Sequence, residues 1–550
     1  LTIDSSGAEH YACISTFAES PHQSGIFWTG SDDGLVHTSR DGGKNWQNIT
    51  PPNLPEWSYI FCIETSVHDL ETIFLSATRY KLNDYRPLLY KSTDGGKKWS
   101  SINGNYPETE ISRVIREDPT CPGLLFVGSE TGIFMSTNSG KNWQKLGGNF
   151  PIVPVYDMKI KQDDLVVGTH GRSFWILDDL TPLRKFARKT SGKKKKVSGG
   201  VQFFPPRTTF RRTLNWSVNL FLGDGKNYSP DFGMPGTHYE ETSPEGEKEF
   251  RYLDMGENPP EGVIVNYFLE SETPGPLELV ILEDNGNEID RFYSKNSSED
   301  LKNIESKDED EKPNLPTKPG FNRFVWNMRY PGPEVKIDKA LEKPAYKPLG
   351  RGEGFPAGGP IAPPGKYQVQ LKTSSAEITH SFEITKDPRL KTSAKDYAQQ
   401  FELWSEITNR VSATNSAINK VRKINLQITE LLGREIFTRP APEKSLIAVR
   451  KATESLMNKL SKIENQLTQN QYETPSDRLR HPTMLKQRME ALVSVVSISD
   501  AAPPQQAYAV YEDLRSKIGD QLALLSKLEK QDLPRVNKQI EQAGIPKLQA

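Results

Sequence analysis

Three short segments near the start of the chain repeat one pattern, Ser/Thr-x-Asp-x-Gly-x-x-Trp, which is the Asp-box motif. They cover residues 39–46, 92–99 and 136–143, and the third has Asn in place of Asp. In such a box the Ser and Asp side chains bond to turn amides, Gly permits a positive φ, and Trp covers the hairpin. We therefore predict structural roles for these positions and expect the three Trp rings to be mostly buried and equivalent. The residues concerned are Ser39, Asp41, Gly43, Trp46, Ser92, Asp94, Gly96, Trp99, Ser136, Asn138, Gly140 and Trp143.

The spacing of the boxes predicts how this part of the chain is organised. Ser39 and Ser92 are 53 residues apart, and Ser92 and Ser136 are 44 apart, which is close to the length of one four-stranded propeller blade. A further unit at 165–177 keeps the pattern of the repeats without a box, so we interpret it as the closing blade. Four blades are few for a propeller, and we expect more blades upstream of the first residue.

Aligning the repeats equates individual residues between blades. Gly30 in the first boxed repeat corresponds to Gly128 in the third. Cys13 and Cys62 fall at matching places in consecutive repeats, and we predict that both are buried core residues. A disulfide between neighbouring blades is the alternative. The chain has three cysteines, too few and too scattered for a disulfide framework.

The composition excludes several classes of partner. The 550 residues include 70 Lys and Arg against 71 Asp and Glu, a net charge of −1, so no overall field attracts nucleic acid or an anionic membrane. No window approaches the 18 or so apolar residues of a membrane span. The eight histidines are scattered and the cysteines lack metal-ligand spacing, so we predict no metal ion and no cofactor.

The pattern changes three times along the chain and predicts four domains. Residues 1–188 form the Asp-box propeller blades. Residues 189–256 are a connector and an irregular β segment, because a Lys, Gly and Ser run is followed by aromatic residues, Gly and Pro. Residues 257–390 alternate as short strands do and predict an Ig-like β-sandwich with long charged or Gly/Pro-rich loops. Residues 391–550 are helical.

We predict that the helical region forms an antiparallel bundle. Apolar residues recur at steps of three, four or seven over 394–432, and similar stripes follow at 444–467, 482–499 and from 504 to 530 or beyond. Short Pro-bearing connections join them, as in a bundle of packed helices. Such stripes are core, and we assign them no ligand.

These features together resemble the large bacterial BNR/Asp-box proteins of the sortilin (VPS10)-like propeller group. The resemblance rests on the boxes, the segment 167–183, the strands at 322–333 and 362–371, and the passage from 387–389 into the first helix. It implies a multidomain protein with an Ig-like sandwich. It also implies export from a bacterial cytoplasm to the periplasm, the cell surface or the exterior. Members are often labelled glycosyl hydrolases.

That label suggests sialidase-type hydrolysis, which in that family uses an Arg triad, a Tyr nucleophile paired with Glu, and an acid/base Asp. Arg113, Arg116 and Arg172 fall at no matching motif position. Asp41 and Asp94 belong to the turns of the boxes, where a hydrogen bond rather than a charge is required. We therefore nominate no catalytic residue. His170 and Arg172 lie in the most polar turn of the last blade and are possible channel-facing residues.

The sequence thus favours an exported, non-catalytic binding or scaffold protein that uses a propeller surface to recognise a protein or a glycan. Its partner would be another protein chain or an upstream propeller fragment, with a glycan as a further possibility. Two alternatives stay open. One is a sialidase-like glycoside hydrolase whose active residues lie in upstream blades, and the other is a subunit of a surface transport or secretion complex.

Overall fold

The computed structural model describes residues 12–190, 200–212, 225–229, 236–242, 248–252, 262–271, 276–294, 313–341, 359–438, 444–472, 474, 477 and 479–549. Most of the connector and of the long loops predicted above lies outside these residues. The chain divides into two compact units. The first comprises Leu1–Phe204 with Asn266–Phe268, and the second comprises Pro205–Val265 with Leu269–Ala550. The four domain boundaries predicted from the sequence stay a prediction.

The first unit contains four consecutive antiparallel sheets, three of four strands and one of three, in which strands that follow each other in the chain are neighbours. Each of the three larger sheets carries an Asp-box between its third and fourth strands. The strands are β1 (Ile14–Glu19), β2 (Phe27–Ser31), β3 (Val36–Ser39) and β4 (Gln47–Asn48); β5 (Tyr59–Thr65), β6 (Ile73–Arg79), β7 (Asp84–Ser92) and β8 (Ser100–Ser101); β9 (Ser112–Glu117), β10 (Leu125–Ser129), β11 (Ile133–Ser136) and β12 (Gln144–Lys145); and β13 (Val155–Lys161), β14 (Asp164–Thr169) and β15 (Phe174–Leu177).

The first strands of consecutive sheets lie side by side, β1 against β5, β5 against β9, and β9 against β13. Glycine permits this close approach. A Cβ atom on Gly30 would lie 2.4 Å from the side chain of Ile60, and one on Gly128 would lie 2.6 Å from that of Val155. This is the packing of propeller blades around their innermost strands. The strand register also equates Gly30 with Gly128, as the sequence alignment predicts.

The register corrects the predicted match between two cysteines. Thr16 lies opposite Gly30 in the first sheet, and Cys62 lies opposite Ser76, the equivalent residue of the second. Cys62 therefore corresponds to Thr16, and its match with Cys13 was wrong by three residues. Cys62 is buried, but Cys13 is exposed because it precedes β1. The prediction of a buried Cys13 is therefore also wrong, and all three cysteines are free thiols.

A helix that the pattern of apolar residues did not predict follows the fourth sheet. This helix, α1 (Thr181–Thr190), is fixed to the sheets by Arg184, whose side chain is 6% exposed. The Arg184 Nε atom lies 2.8 Å from an Asp118 carboxylate oxygen, and a second ion pair joins Arg184 to Asp163. Because α1 packs partly through a charged side chain, its sequence lacks the apolar stripe that would have indicated a packed helix.

The remaining strands are β16 (Val201–Phe203), β17 (Thr209–Arg211), β18 (Gly225–Ser229), β19 (Gly236–Thr242), β20 (Lys248–Tyr252), β21 (Val263–Leu269), β22 (Glu278–Glu283), β23 (Glu288–Tyr293), β24 (Gly320–Trp326), β25 (Gly365–Lys372) and β26 (Glu377–Lys386). Strands β18, β19 and β20 form an antiparallel sheet, and a five-stranded sheet has the order β17-β26-β25-β22-β23, in which β17 and β26 are parallel. Trp326 packs edge-on against Tyr367 and Phe382, at 6.2 Å between ring centroids in both pairs. The Ig-like topology stays a prediction.

Helices occupy the C-terminal region, as the period predicts. They are α2 (Ala394–Leu432), α3 (Glu435–Thr438), α4 (Lys444–Leu467), α5 (Leu485–Val496), α6 (Gln505–Lys527) and α7 (Leu533–Gln542), and a π-helical turn (Leu528–Asp532) joins α6 to α7. Their apolar faces share one core, which includes Trp404, Ile418 and Leu460. Among the described residues, no helix is both long and apolar enough to cross a membrane.

Candidate functional site

The polar residues of the Asp-boxes bond within their own turns. Ser39 Oγ accepts the Gly43 amide at 2.9 Å and donates to Asp41 at 3.0 Å, while Asp41 accepts the Asn45 amide at 2.9 Å. The second box repeats this geometry around Ser92, Asp94 and Gly96, and the third around Ser136, Asn138 and Gly140. Because Asn makes the same bonds as Asp, the turn uses an acceptor oxygen and does not require a charge.

The box tryptophans differ in burial. Trp99 donates its indole N–H to the Ile49 carbonyl at 2.7 Å, and Trp143 donates to the Ile102 carbonyl at 2.8 Å, in both cases on the preceding sheet. Trp46 donates to Gly43 of its own turn. Trp46 is 44% exposed and Trp143 is 4% exposed, so the expectation of equivalent burial was wrong. Trp99 and Trp143 each contact the sheet that precedes their own. Trp46 has no such cover, because no described strand precedes its sheet.

The box carboxylates make the hairpins sensitive to acid. The bonds that the Asn45 amide and side chain donate lower the pKa of Asp41 to about 2, and the Lys98 amide likewise lowers the pKa of Asp94. A folded-state pKa below the unfolded value means that the carboxylate stabilises the fold at higher pH. That contribution is lost as pH falls from the unfolded value of 3.8 through the lowered one.

We expect the double substitution Asp41→Asn and Asp94→Asn to remove this part of the acid sensitivity, because Asn138 already makes the same bonds in the third box. The melting temperature of the double variant should fall less than that of the natural protein between pH 5 and pH 2. Other carboxylates titrate in both proteins and cancel in the comparison. If the melting temperatures of the two proteins fall equally between pH 5 and pH 2, Asp41 and Asp94 do not contribute to the acid sensitivity. Asp94→Ala, which removes the acceptor, should lower the melting temperature at both pH values.

A β-bulge recurs in the first strand of each sheet of the first unit. The pairing with the second strand skips one residue each time. A bulge turns the side chain of the extra residue away from the regular alternation, and bulges are frequent beside functional sites. The extra residues are Ser15, Phe61, Arg113 and Tyr156.

Three of these bulge residues line one cavity of about 210 Å³, the bulge cavity. Its core is the Arg113 guanidinium, which is stacked among aromatic rings. Its central carbon lies 4.4 Å from the ring centroid of Tyr156, 5.2 Å from that of Phe61 and 5.4 Å from that of Tyr80. Arg113 also ion-pairs with Glu130. The stacked cation and its carboxylate partner hold the aromatic wall in place.

An insertion in the second sheet supplies a second wall of the cavity. The interval Ile73–Ser92 is longer than the equivalent intervals of the first and third sheets, which begin at Phe27 and Leu125. The extra residues include a 3-10 turn, Tyr80–Leu82, and the three residues of this turn line the cavity. The longer 53-residue spacing between the first two boxes includes this insertion.

Trp57 lines the same cavity in a strained conformation. Its φ is 60°, a region that a bulky side chain rarely adopts, and its side chain is 38% exposed. The neighbouring Ser58 backbone lies against Gly34, where a Cβ would be 3.1 Å from the Ser58 amide nitrogen. Such strain persists where the surrounding structure enforces it, and it concentrates at binding and active sites.

The insertion also brings polar and charged side chains to the cavity. Arg79 lines the cavity and donates to Asp84 at 3.0 Å, but Arg86 holds the same carboxylate through two bonds of 2.9 and 2.8 Å. Two guanidinium groups thus share one carboxylate. The adjacent Thr78 is 2% exposed, and its hydroxyl has no hydrogen-bond partner among the described residues. Lys81 completes this wall of the cavity.

The two residues predicted to face a channel lie in one exposed turn of the fourth sheet. His170 is exposed and stacks on Tyr156, with 4.9 Å between ring centroids, so it lies behind one wall of the bulge cavity. Arg172 is also exposed, and its backbone amide donates to Thr169 within the turn. The sequence therefore pointed to the neighbourhood of the cavity through His170, but it missed the residues that line it. Neither residue itself lines the cavity.

The carboxylates that line the bulge cavity bear on the glycoside hydrolase alternative. Among its described lining residues, Asp32 is the single carboxylate, whereas most glycoside hydrolases flank the scissile bond with a pair of carboxyl groups. The described part of the chain contains no group of three or more His, Cys, Asp or Glu residues placed to hold a metal ion.

No protein-family model and no curated protein matches the sequence. Among solved structures, similarity extends to YCF48 bound to the D1 peptide, at 18% identity, 31% of this chain, 52% of that chain and a TM-score of 0.25. It also extends to the GH74 xyloglucanase of Xanthomonas campestris (13% identity, 44% and 38% coverage, TM-score 0.25) and to the GH74 enzyme of Niastella koreensis (13%, 68% and 54%, 0.25). This chain thus covers about half of that YCF48 chain and less than half of the xyloglucanase. Likenesses of this strength do not decide its function.

Proposed function

We propose that the first unit is a non-catalytic binding module that recognises a segment of another protein in the bulge cavity. The observation that carries the proposal is the composition of the cavity wall. Trp57, Tyr59, Tyr80, Tyr156 and Arg113 all line it. Trp, Tyr and Arg are the residue types that dominate binding energy at protein interfaces, where they fill or form desolvated pockets.

The size of the cavity supports a segment of a larger ligand. Sites for whole small molecules usually measure about 300–1,000 Å³, and this cavity measures about 210 Å³. It therefore has room for one side chain or one ring of a polymer. Trp57 and Tyr156 are 38% and 40% exposed, and their exposed atoms extend the contact surface beyond the cavity.

Selection of binding peptides tests this function. A displayed library of random dodecapeptides is selected against the full chain, and we expect the recovered peptides to lose at least about tenfold in affinity for the Trp57→Ala and Tyr156→Ala variants. Trp46→Ala is the matched control, since Trp46 is also an exposed aromatic residue but does not line the cavity. It should leave the affinity unchanged.

Hydrolysis of a glycan would contradict the proposal. The full chain is incubated with a panel of plant, bacterial and animal oligosaccharides, and no product is expected. If a glycan is cleaved and Asp32→Asn abolishes the cleavage, the cavity is an active site and the binding function is wrong. Peptides that bind equally well to all three Trp and Tyr variants would also contradict it, because they would bind elsewhere.

A further inference from the structure

We infer that a groove on the helical region binds an amphiphilic anion, a molecule with an alkyl chain and a carboxylate or phosphate head group. This bundle groove is lined by residues of α4, of α6 and of the π-helical turn that follows α6. It belongs to the second unit, whereas the proposed function concerns the first, so either can fail without the other. The inference rests on the size of the groove, its apolar floor and the charge of its lining.

The bundle groove has room for a small organic molecule. Its volume is about 640 Å³, and sites for whole small molecules usually measure about 300–1,000 Å³. Two residues of the π-helical turn, Leu528 and Asp532, line it. Such turns interrupt the regular helix and are frequent at functional sites. The groove therefore combines the volume of a ligand site with a local irregularity that is typical of one.

The floor of the bundle groove is apolar. Ile463 and Leu528 line it and are 4% and 8% exposed, since both belong to the core that the helices share. Leu524 lines it as well, but 49% of this residue is exposed. An alkyl chain that covers Leu524 would remove apolar surface from water, which is favourable. A partner helix usually presents several apolar anchors in a row, and the single exposed Leu524 suits one chain better.

The lining of the bundle groove carries more positive than negative charge. Lys459, Lys462 and Lys527 line it together with one carboxylate, that of Asp532. The same Asp532 oxygen pairs with Lys459 at 2.9 Å and with Arg535, which does not line the groove, at 2.8 Å. Neither Lys462 nor Lys527 has an ion-pair partner among the described residues. Two ammonium groups of the lining are therefore available to an anion.

Carboxylates close in the chain to the lining residues do not balance this charge. Glu464 pairs with Arg422 at 2.7 Å, and Glu529 pairs with Lys420 at 3.2 Å. Neither glutamate lines the groove, and Asp520, one turn before the exposed leucine, does not line it either. The two unpaired lysines thus keep their net charge toward a ligand.

Amide side chains add neutral donors to the same lining. Asn465, Gln466 and Gln521 line the groove beside the lysines, and each side-chain amide can donate two hydrogen bonds. Ammonium groups form charge-assisted hydrogen bonds with carboxylate and phosphate oxygens, which are roughly twice as strong as neutral ones. The head group of the ligand would therefore lie at Lys462 and Lys527, with its chain on Leu524.

Calorimetric titration of the full chain tests the inference. The ligands are dodecyl phosphate and dodecanoate, used below the concentrations at which they form micelles. The controls are dodecyltrimethylammonium, which has the same chain and a cationic head, and inorganic phosphate, which has no chain. We expect each dodecyl anion to bind at least about tenfold more tightly than either control, as the loss of a charged contact or of the buried chain implies.

Variants assign this binding to the bundle groove. Lys462→Gln with Lys527→Gln should weaken the binding of dodecyl phosphate at least about fivefold, as the loss of two exposed ion pairs implies. The matched control is Lys451→Gln with Lys538→Gln, which removes two exposed lysines of the helical region that do not line the groove. It should leave the affinity unchanged.

A second pair of variants tests the apolar floor. Leu524→Asp should weaken the binding of both dodecyl anions, because it places a like charge where the chain lies. Val510→Asp is its control, since Val510 is also on α6 and is 47% exposed, but does not line the groove. The circular dichroism of the helices should be the same in all variants, so that a loss of affinity reports on the groove and not on unfolding.

Four results would overturn the inference. Equal binding of dodecyl phosphate and dodecyltrimethylammonium would mean that the chain alone is recognised. Inorganic phosphate that binds as tightly as dodecyl phosphate would indicate a site for a free anion. An acidic, leucine-rich helical peptide that needs Lys462 and Lys527, while neither dodecyl anion binds, would make the groove a protein interface. Dodecyl anions that bind equally to all groove variants would bind elsewhere.

Discussion

Replacing Arg211 by Met is expected to destabilise the second unit by about 3–5 kcal/mol, the usual effect of breaking a buried ion pair. Arg211 is 1% exposed, and its guanidinium lies 2.9 Å from the Asp500 carboxylate. It also donates to the Ile361 and Ala362 carbonyls and stacks on Tyr397 at 4.8 Å. Met would leave the Asp500 charge and two carbonyls buried with fewer partners. Urea unfolding followed by the circular dichroism of the helices measures the change.

The matched control for this prediction is Arg389→Met. Arg389 also pairs with a carboxylate, Asp387 at 2.5 Å. The Asp387 side chain is 9% exposed, but the Arg389 side chain is 79% exposed, and water screens an ion pair whose cation is exposed. The control should unfold close to the natural protein. The double variant Arg211→Met with Asp500→Leu should recover part of the loss, since it no longer buries the Asp500 charge without the Arg211 guanidinium. An Arg211→Met variant as stable as the control would show that this network does not hold strand and helices together.

The second large effect is expected for a box tryptophan. Trp143→Ala should cost about 3–5 kcal/mol, as for a large core side chain replaced by Ala, because the ring is 4% exposed and its N–H reaches the preceding sheet. Trp46→Ala should cost about 1 kcal/mol or less, as at exposed positions, since Trp46 bonds within its own turn. Thermal unfolding of the two variants by calorimetry gives the comparison. Equal losses would mean that the box turn, and not packing on the preceding sheet, determines the contribution of the ring.

The sequence predicted those parts of the fold that depend on local pattern. The boxes identified hairpins because Ser, Asp and Gly act within a few residues of each other. The stripe of apolar residues over 394–432 identified α2 with its bounds, because a long helix follows a single period. The charged helix α1 has no such stripe, since its packing depends on the Arg184 ion pairs with distant residues.

The cavity was harder to predict because its position depends on the strand register. A bulge adds one residue to a strand and moves every following side chain to the other face, and nothing in the residues around Phe61 or Tyr156 marks that shift. The wrong match of Cys13 with Cys62 has another origin, since the similar local sequences 13–16 and 62–65 lie three residues out of register with each other. The insertion that brings Arg79 and Tyr80 to the cavity did leave a signal, namely the longer spacing between the first two boxes.

The most direct test of the central claim is a crystal structure of the full chain with a peptide recovered by selection. We expect the peptide to occupy the bulge cavity, with one side chain inside the cavity and with its neighbours against Trp57 and Tyr156. A peptide bound on the helices or on an Asp-box hairpin, with the bulge cavity empty, would contradict it.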